Sequence, residues 1–386
     1  MKGIKGVIFV FSFLFGVACL KPYKPEIHIE SEGYLVVEGV VDIFDGKGQI
    51  VLSRTKSLDA VNQNTAESGA EVWIEGENGS RLFFEEKTKG VYIGNFENYS
   101  PELQSRLTII TKDNQEYQSD YVPFKVSPEI DSLTWEANDE GLSFFVDTHD
   151  DKGETRYYRW EFLETSEYNS MFASKGIYND SLEELVERDQ DTQNIYICWK
   201  EERSRSVILS NTTHLTEDII SHKKIVTLAP DSWKHRFKYS ILAKQYAITP
   251  EEYDYWQSIQ QSNENVGSIF DAQPSNVGSN IRCITTPESP VFGYFSFGKS
   301  SQTREFVSAF ELPTWNRGYN IPYTCEPSDE VFVPLQEFYA DPYAYPIVLI
   351  VYSPSGAMIG ITTADTECVD CSFAGRGSTV RPDYWE

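Results

Sequence analysis

Tyr34–Val41 reads YLVVEGVV. The run is short, dominated by β-branched valine and interrupted only by Glu38 and Gly39, which is the pattern of a buried strand rather than a helix. Working outward, the same signature recurs at Gly48–Arg54, Ala70–Ile74, Arg81–Phe84, Gly90–Gly94, Arg106–Thr111 and Tyr121–Val126. Asn78-Gly79 and Asp113-Asn114 supply turn chemistry between them. About seven short strands in roughly 95 residues predict an immunoglobulin-like β-sandwich over residues 27–127. Pro123 and Pro128 place a boundary near its end.

Beyond that boundary the alternation restarts. Strands are expected at Ile130–Trp135, Leu142–Asp147, Arg156–Glu164, Ile195–Trp199, Ser206–Ser210, Lys224–Leu228 and His235–Tyr246. Ile281–Thr285, Val291–Phe297, Arg304–Ala309 and Ile347–Tyr352 complete the expected second assembly. Two helices are expected. Ser181–Asp189 follows Asp180 as N-cap, and Pro250–Gln261 follows Thr249 with proline at the first helical position. Leu312–Asp341 has weak periodicity and reads as long loop. The predicted fold is mainly β, with the N-terminal sandwich followed by a larger β-rich domain, residues 128–386, that carries a few short helices.

Composition narrows the function classes. The 386 residues hold 33 basic and 59 acidic side chains, a formal charge of −26. That balance excludes nucleic acid as a partner, because phosphate binding needs clustered Lys and Arg. It also excludes adhesion to anionic lipid through a basic face. An aromatic fraction of 14% is too high for a wholly disordered chain.

The first residues give an address. Lys2 and Lys5 precede an apolar run from Val7 to Val17, too short for the ~20 residues that span a bilayer. It reads as an export signal, residues 1–18. Gly16-Val17-Ala18 before Cys19 suits lipoprotein processing, making Cys19 the lipidated N-terminus of a tether over residues 19–26. Acyl chains then anchor the chain to the membrane without a basic patch. Five cysteines remain, Cys198, Cys283, Cys325, Cys368 and Cys371, enough for two bridges and one odd thiol. Cys368 and Cys371 form a C-x-x-C, but no second such pair exists, so structural bridging is expected and no metal. Spacing leaves the pairing open.

No P-loop, G-x-S-x-G or H-E-x-x-H is present, so no catalytic residue and no cofactor is assigned. The acids Asp147, Asp150, Asp151 and Glu154 read as a solvated loop without calcium spacing. Trp160, Trp199 and Trp256 are the candidates for ligand or partner contact, with core packing as the plainer reading.

Cys19 followed by Pro22, Tyr23 and Pro25, then YLVVEG (Tyr34–Gly39), LSRT (Leu52–Thr55), PEIDSLTW (Pro128–Trp135), YYRWEFLET (Tyr157–Thr165) and CWK (Cys198–Lys200), form an ordered set. It continues through YSILAKQYAITPEEYDYW (Tyr239–Trp256), ENVGSIFDAQPSNVGSNI (Glu264–Ile281), FGYFS (Phe292–Ser296), CVDCS (Cys368–Ser372) and RPDYW (Arg381–Trp385). The set resembles Bacteroidota outer-membrane lipoproteins carrying domain of unknown function 4249 (DUF4249). The resemblance implies a non-enzymatic, lipid-anchored accessory subunit of a TonB-dependent outer-membrane transporter for nutrient uptake. A freestanding surface glycan- or ligand-binding lipoprotein is the alternative, and a hydrolase with paired carboxylates a weaker one. It also implies that Cys198, Cys325, Cys368 and Cys371 are the bridged set, with Cys283 the odd thiol. The acid-rich run that marks surface export in that phylum is absent from Leu20–Pro25, so the periplasmic and cell-surface leaflets both stay open.

Overall fold

The computed structural model describes residues 33–56, 65–97, 100, 104–179, 181, 184–264, 278–318, 325–326, 347–356 and 358–385. Cys19, the tether and most of the loop expected at Leu312–Asp341 lie outside them.

The N-terminal strands are β1 (Leu35–Asp42), β2 (Lys47–Arg54), β3 (Glu71–Gly76), β4 (Arg81–Thr88), β5 (Val91–Asn95), β6 (Gln104–Ile110), β7 (Glu116–Ser119) and β8 (Val122–Val126). Two later segments join them, β18 (Ile281–Cys283) and β19 (Phe292–Lys299), in the order β18-β7-β6-β3-β4-β5-β2-β1-β19-β8. Two strands turn corners. β4 pairs with β3 through Arg81–Phe84 and with β5 through Glu85–Thr88. β8 pairs with β6 at Val122 and Pro123, then with β19 over Phe124–Val126. The two layers of a sandwich are thereby joined at both corners into a barrel-like closure, which leaves fewer unpaired strand edges. Leu35, Val37, Val41, Ile50, Leu52, Ile74, Leu107 and Ile109 alternate inward and form its core.

Here the expectation for residues 281–297 is corrected. β18 and β19 complete the first sandwich rather than the second assembly, with β19 running parallel to both β1 and β8. Gly293 makes that close approach feasible. Its φ is +111°, and a Cβ there would stand 1.9 Å from the Val37 carbonyl oxygen.

The second sandwich packs the sheet β16-β10-β9 against β14-β11-β17-β20, with β15 also on β11. These strands are β9 (Ile130–Asn138), β10 (Gly141–His149), β11 (Tyr157–Asn169), β14 (Ile197–Arg203), β15 (Ile208–Asn211), β16 (Ile219–Leu228), β17 (Lys238–Ala247) and β20 (Ser301–Ser308). Phe144 and Val146 from one layer meet Trp160, Tyr239 and Ile241 from the other. A helix, α1 (Pro250–Glu264), begins where the sequence placed it, with Thr249 accepting from the Glu252 and Tyr253 amides.

A third sheet, β13-β12-β21-β22, contains β12 (Gly176–Asn179), β13 (Glu184–Glu187), β21 (Ile347–Tyr352) and β22 (Met358–Thr363). β13 replaces the helix expected over Ser181–Asp189. Two helical turns are marginal in isolation, and pairing with β12 gives the same backbone groups partners. The Asn179 side chain accepts from the Ser181 amide and tightens the turn, while Leu185 packs against Ile350 and Ile361.

Two strand runs cross from the first sandwich to the second, β8 into β9 and β19 into β20. They are stitched together by Ser127 N–H to the Lys299 carbonyl (2.9 Å) and Ile130 N–H to Ser301 Oγ (3.1 Å). Asp42 accepts from both the backbone and the hydroxyl of Ser300, at 2.9 and 2.7 Å. The junction is therefore a hydrogen-bonded seam rather than a loose linker.

Candidate functional site

The three candidate tryptophans occupy three different settings. Trp160 is fully buried between the layers of the second sandwich; its indole N–H donates to Gln245 Oε1 at 3.0 Å. Trp199 is half-buried near the opposite end of the same sheet and exchanges two backbone hydrogen bonds with Ser378, each 2.9 Å. Trp256, half-buried on α1, lies over the outer face of β11. No shared stacking plane joins them.

The structure instead brings charge together beneath Trp256. Strand parity in YYRWEF sends Trp160 inward and so sends Arg159 and Glu161 outward, where α1 covers Arg159. Arg159 is only 2% exposed. Its guanidinium is held between two rings, 4.4 Å from the Tyr246 centroid and 4.6 Å from that of Trp256. One nitrogen donates to Glu161 in a tight ion pair. Nε and Nη2 are buried without hydrogen-bond partners among the described residues. Burial alone would depress the Arg159 pKa, but Glu161, Tyr246 and Glu252 outweigh it and the net shift is upward. Arg159 is therefore a fixed cation.

Glu252 completes the group. It is 3% exposed, accepts from the Trp256 indole N–H at 3.1 Å and lines a cleft together with Ser296 of β19. Burial pushes its carboxyl pKa up, and the nearby Arg159 charge only partly opposes the shift. The cleft adjoins the carboxyl, walled by Val40, Lys125, Tyr246, Tyr294 and Ser296. Arg159 and Trp256 thus join β11 to α1, and the cleft beside Glu252 brings Ser296 of β19 to the same place. Sequence reading missed Arg159 and Glu252. The available signal was parity: an Arg adjacent to an inward Trp in a long apolar strand needs an outward cover.

The raised Glu252 pKa has a defined sign. The neutral carboxyl's contribution to stability is fully present below the unfolded-state pKa and is lost as pH rises through the folded-state value. Glu252→Gln mimics the neutral form. It is expected to raise the unfolding midpoint at about pH 8 and to match the parent near pH 4, measured by thermal melts across that range. Equal pH slopes in both proteins would rule out a titrating Glu252.

Four of the five cysteines form two bridges, Cys198–Cys371 and Cys325–Cys368, and Cys283 is a buried free thiol. The C-x-x-C is therefore not closed on itself. Each of its sulfurs reaches a different segment, pinning the C-terminal chain to β14 and to residue 325. Beyond the bridges, the chain straps the outer face of β11. The Tyr384 hydroxyl hydrogen-bonds Thr165 Oγ1 (2.8 Å) and donates to Glu201, and the Trp385 indole donates to Glu167 at 2.9 Å. Arg304 stacks on the Tyr384 ring at 3.7 Å.

No group of three or more His, Cys, Asp or Glu is arranged to hold a metal among the described residues. The acidic loop uses its carboxylates locally. Asp150 accepts from the amides of Lys152, Glu154 and Thr155, and Asp147 from Ser132, Ser221 and His222.

Comparison with known families adds one finding. A family model described as a domain of unknown function, DUF4249, matches residues 21–304, which takes in the first sandwich, the second as far as the middle of β20, the seam and the Arg159–Glu252 group. No curated protein matches the chain. The match covers most of the sequence, and the chain belongs to the DUF4249 family.

Proposed function

We propose that this protein is a non-enzymatic lipoprotein of the outer membrane, anchored through acylated Cys19, that serves as the accessory subunit of a TonB-dependent transporter in nutrient uptake. The observation that carries the reading is the order of the first residues. A lysine-led apolar run ends in Gly16-Val17-Ala18-Cys19 and is followed directly by a β scaffold. Rigid sandwiches joined by a bonded seam suit a docking subunit, whose loops and ends contact a partner while the scaffold holds them in place. The burial of Trp160 and the separation of Trp199 from Trp256 favour this reading over a freestanding glycan-binding module, which needs exposed coplanar rings.

The test is affinity purification of the full-length chain from membranes in mild detergent. An outer-membrane β-barrel transporter is expected to co-purify in stoichiometric amount, and Cys19→Ala is expected to release the protein from the membrane fraction. Recovery of the lipoprotein without a barrel would overturn the transporter role. Unchanged fractionation of Cys19→Ala would overturn the anchor.

A further inference from the structure

Isolated apolar side chains on a protein surface are ordinary, so a cluster of them at one place is the informative case. Such a cluster rims the end of the β14-β11-β17-β20 sheet that faces away from the first sandwich. Phe310 is 100% exposed, Val380 74% and Phe373 62%, with Ile197 and Phe237 at 37%. The pairings place them together. Ile197 opposes Asn169 at the last residue of β11, Phe237 directly precedes β17, and Phe310 follows β20 by two residues. Phe373 and Val380 belong to the C-terminal strap, held at this end by the Cys198–Cys371 bridge and the Trp199–Ser378 hydrogen bonds.

Phe310 is displayed on a rigid support. Ser308 Oγ accepts from the Phe310 amide (3.4 Å) while Glu311 Oε2 accepts from the Ser308 amide (2.7 Å), a reciprocal capping box. The Ala309 amide donates to the Phe237 carbonyl at 2.7 Å. Arg317 donates to the carbonyls of Ala309 and Pro313, at 3.2 and 3.0 Å, and Arg236 donates to the Arg317 carbonyl at 2.8 Å. Directly beyond the turn, Leu312 is buried in the second core. The backbone of this turn is thus ordered while its one large side chain is left fully exposed among the described residues. No contact among the described residues calls for a phenylalanine there, and a preorganised aromatic with Arg neighbours is the composition of an interface hot spot.

We infer that this distal rim, with Phe310 as its anchor, is the surface on which a protein partner docks. The partner presents an apolar pocket for Phe310 bordered by carboxylates that meet Arg236 and Arg317. Lipid is the other occupant of similar chemistry, and the topology argues against it. The chain enters the fold at the start of β1, which is paired with the start of β19; the rim lies beyond the far end of β20, the strand that follows β19. Two successive strand lengths separate the rim from the residue where the membrane tether joins. The inference rests on the transporter reading above and deepens it by naming the contact surface.

The experiment uses the tagged full-length lipoprotein with Phe310→Asp, Phe310→Ala and, as a control on the first sandwich, Phe83→Ala, whose ring is 61% exposed. Barrel recovery is expected to fall at least tenfold for Phe310→Asp, to fall measurably for Phe310→Ala and to stay at the parent level for Phe83→Ala. All three are expected to keep the parent melting temperature, because neither ring is buried. A photo-crosslinking residue at position 310 is expected to join the chain to the barrel. Undiminished recovery in Phe310→Asp, or crosslinks to lipid alone, would overturn the docking surface while leaving the transporter reading intact. Absence of any barrel with the unaltered chain would overturn both.

Discussion

Removing the Cys198–Cys371 bridge, as the double variant Cys198→Ala with Cys371→Ala, is expected to cost about 2–5 kcal/mol of stability. The bridge spans 173 residues of sequence, so cutting it returns a large amount of loop freedom to the unfolded chain. The double variant adds no unpaired thiol to exchange with Cys325–Cys368; the one that remains, Cys283, is buried in the first sandwich. A native-state term adds to the entropy. Both sulfurs sit in a fully buried cluster with Tyr168, whose hydroxyl donates to the Cys371 carbonyl at 2.9 Å and accepts from the Gly377 amide at 2.9 Å. Gly375 and Gly377 pack so closely against that ring that a Cβ at either would stand 2.2 or 2.5 Å from its hydroxyl oxygen. Loss of the bridge should therefore free the strap as well, and protease digestion should cut first in residues 375–385. Chemical denaturation followed by tryptophan fluorescence measures the first effect and limited proteolysis the second. An unchanged denaturation midpoint would show that the packing around Tyr168 holds the strap without the covalent link.

The second large effect is expected at Arg159. Arg159→Ala removes a cation from between two aromatic rings and leaves Glu161 and Glu252 without their shared counter-charge, a loss of about 3 kcal/mol. Arg159→Lys is expected to recover little of it. An ammonium cannot lie flat against Tyr246 and Trp256 at once, and it forgoes the guanidinium's planar donors. Because Glu252 and Ser296 of β19 line one cleft, the damage should spread to the seam. Hydrogen exchange is expected to quicken in α1 and in β19 near Ser296 while the β2–β5 pairing keeps its protection. Urea denaturation gives the magnitude. Arg159→Ala within 0.5 kcal/mol of the parent would remove the group's role in joining β11, α1 and β19.

Several elements were legible in the residues alone. YLVVEGVV became β1, the Pro250 signature began α1 on its residue, and the strands from Gly48 to Val126 formed with ends shifted by a few positions. β7 escaped notice because EYQS carries only Tyr117 as an inward apolar residue. The candidate site was only half legible. Trp256 was singled out as an aromatic, but its importance lies in the Arg159 cation beneath it and the Glu252 carboxyl beside it. Those two residues read as ordinary charges, since a charged residue's burial depends on what another segment lays over it.

The division between sequence and tertiary structure follows from the range of the forces. Alternation of apolar residues, proline at a helix start and a lysine-led apolar run before Cys19 are local patterns, each decided by a strand's or helix's own faces or by what a processing enzyme can read. They determined by themselves that the chain is mainly β, where most strands lie and which family it resembles. Partner choice is not local. β19 could have paired with either sandwich, and the glycine at 293, meeting the Val37 carbonyl in the folded chain, is what makes its close approach to β1 possible. The residues at 184–187 became a strand because β12 offered hydrogen bonds that a lone helical turn could not match. Four cysteines were countable, but their pairing waited on the fold, which sets each sulfur beside a sulfur from a distant segment.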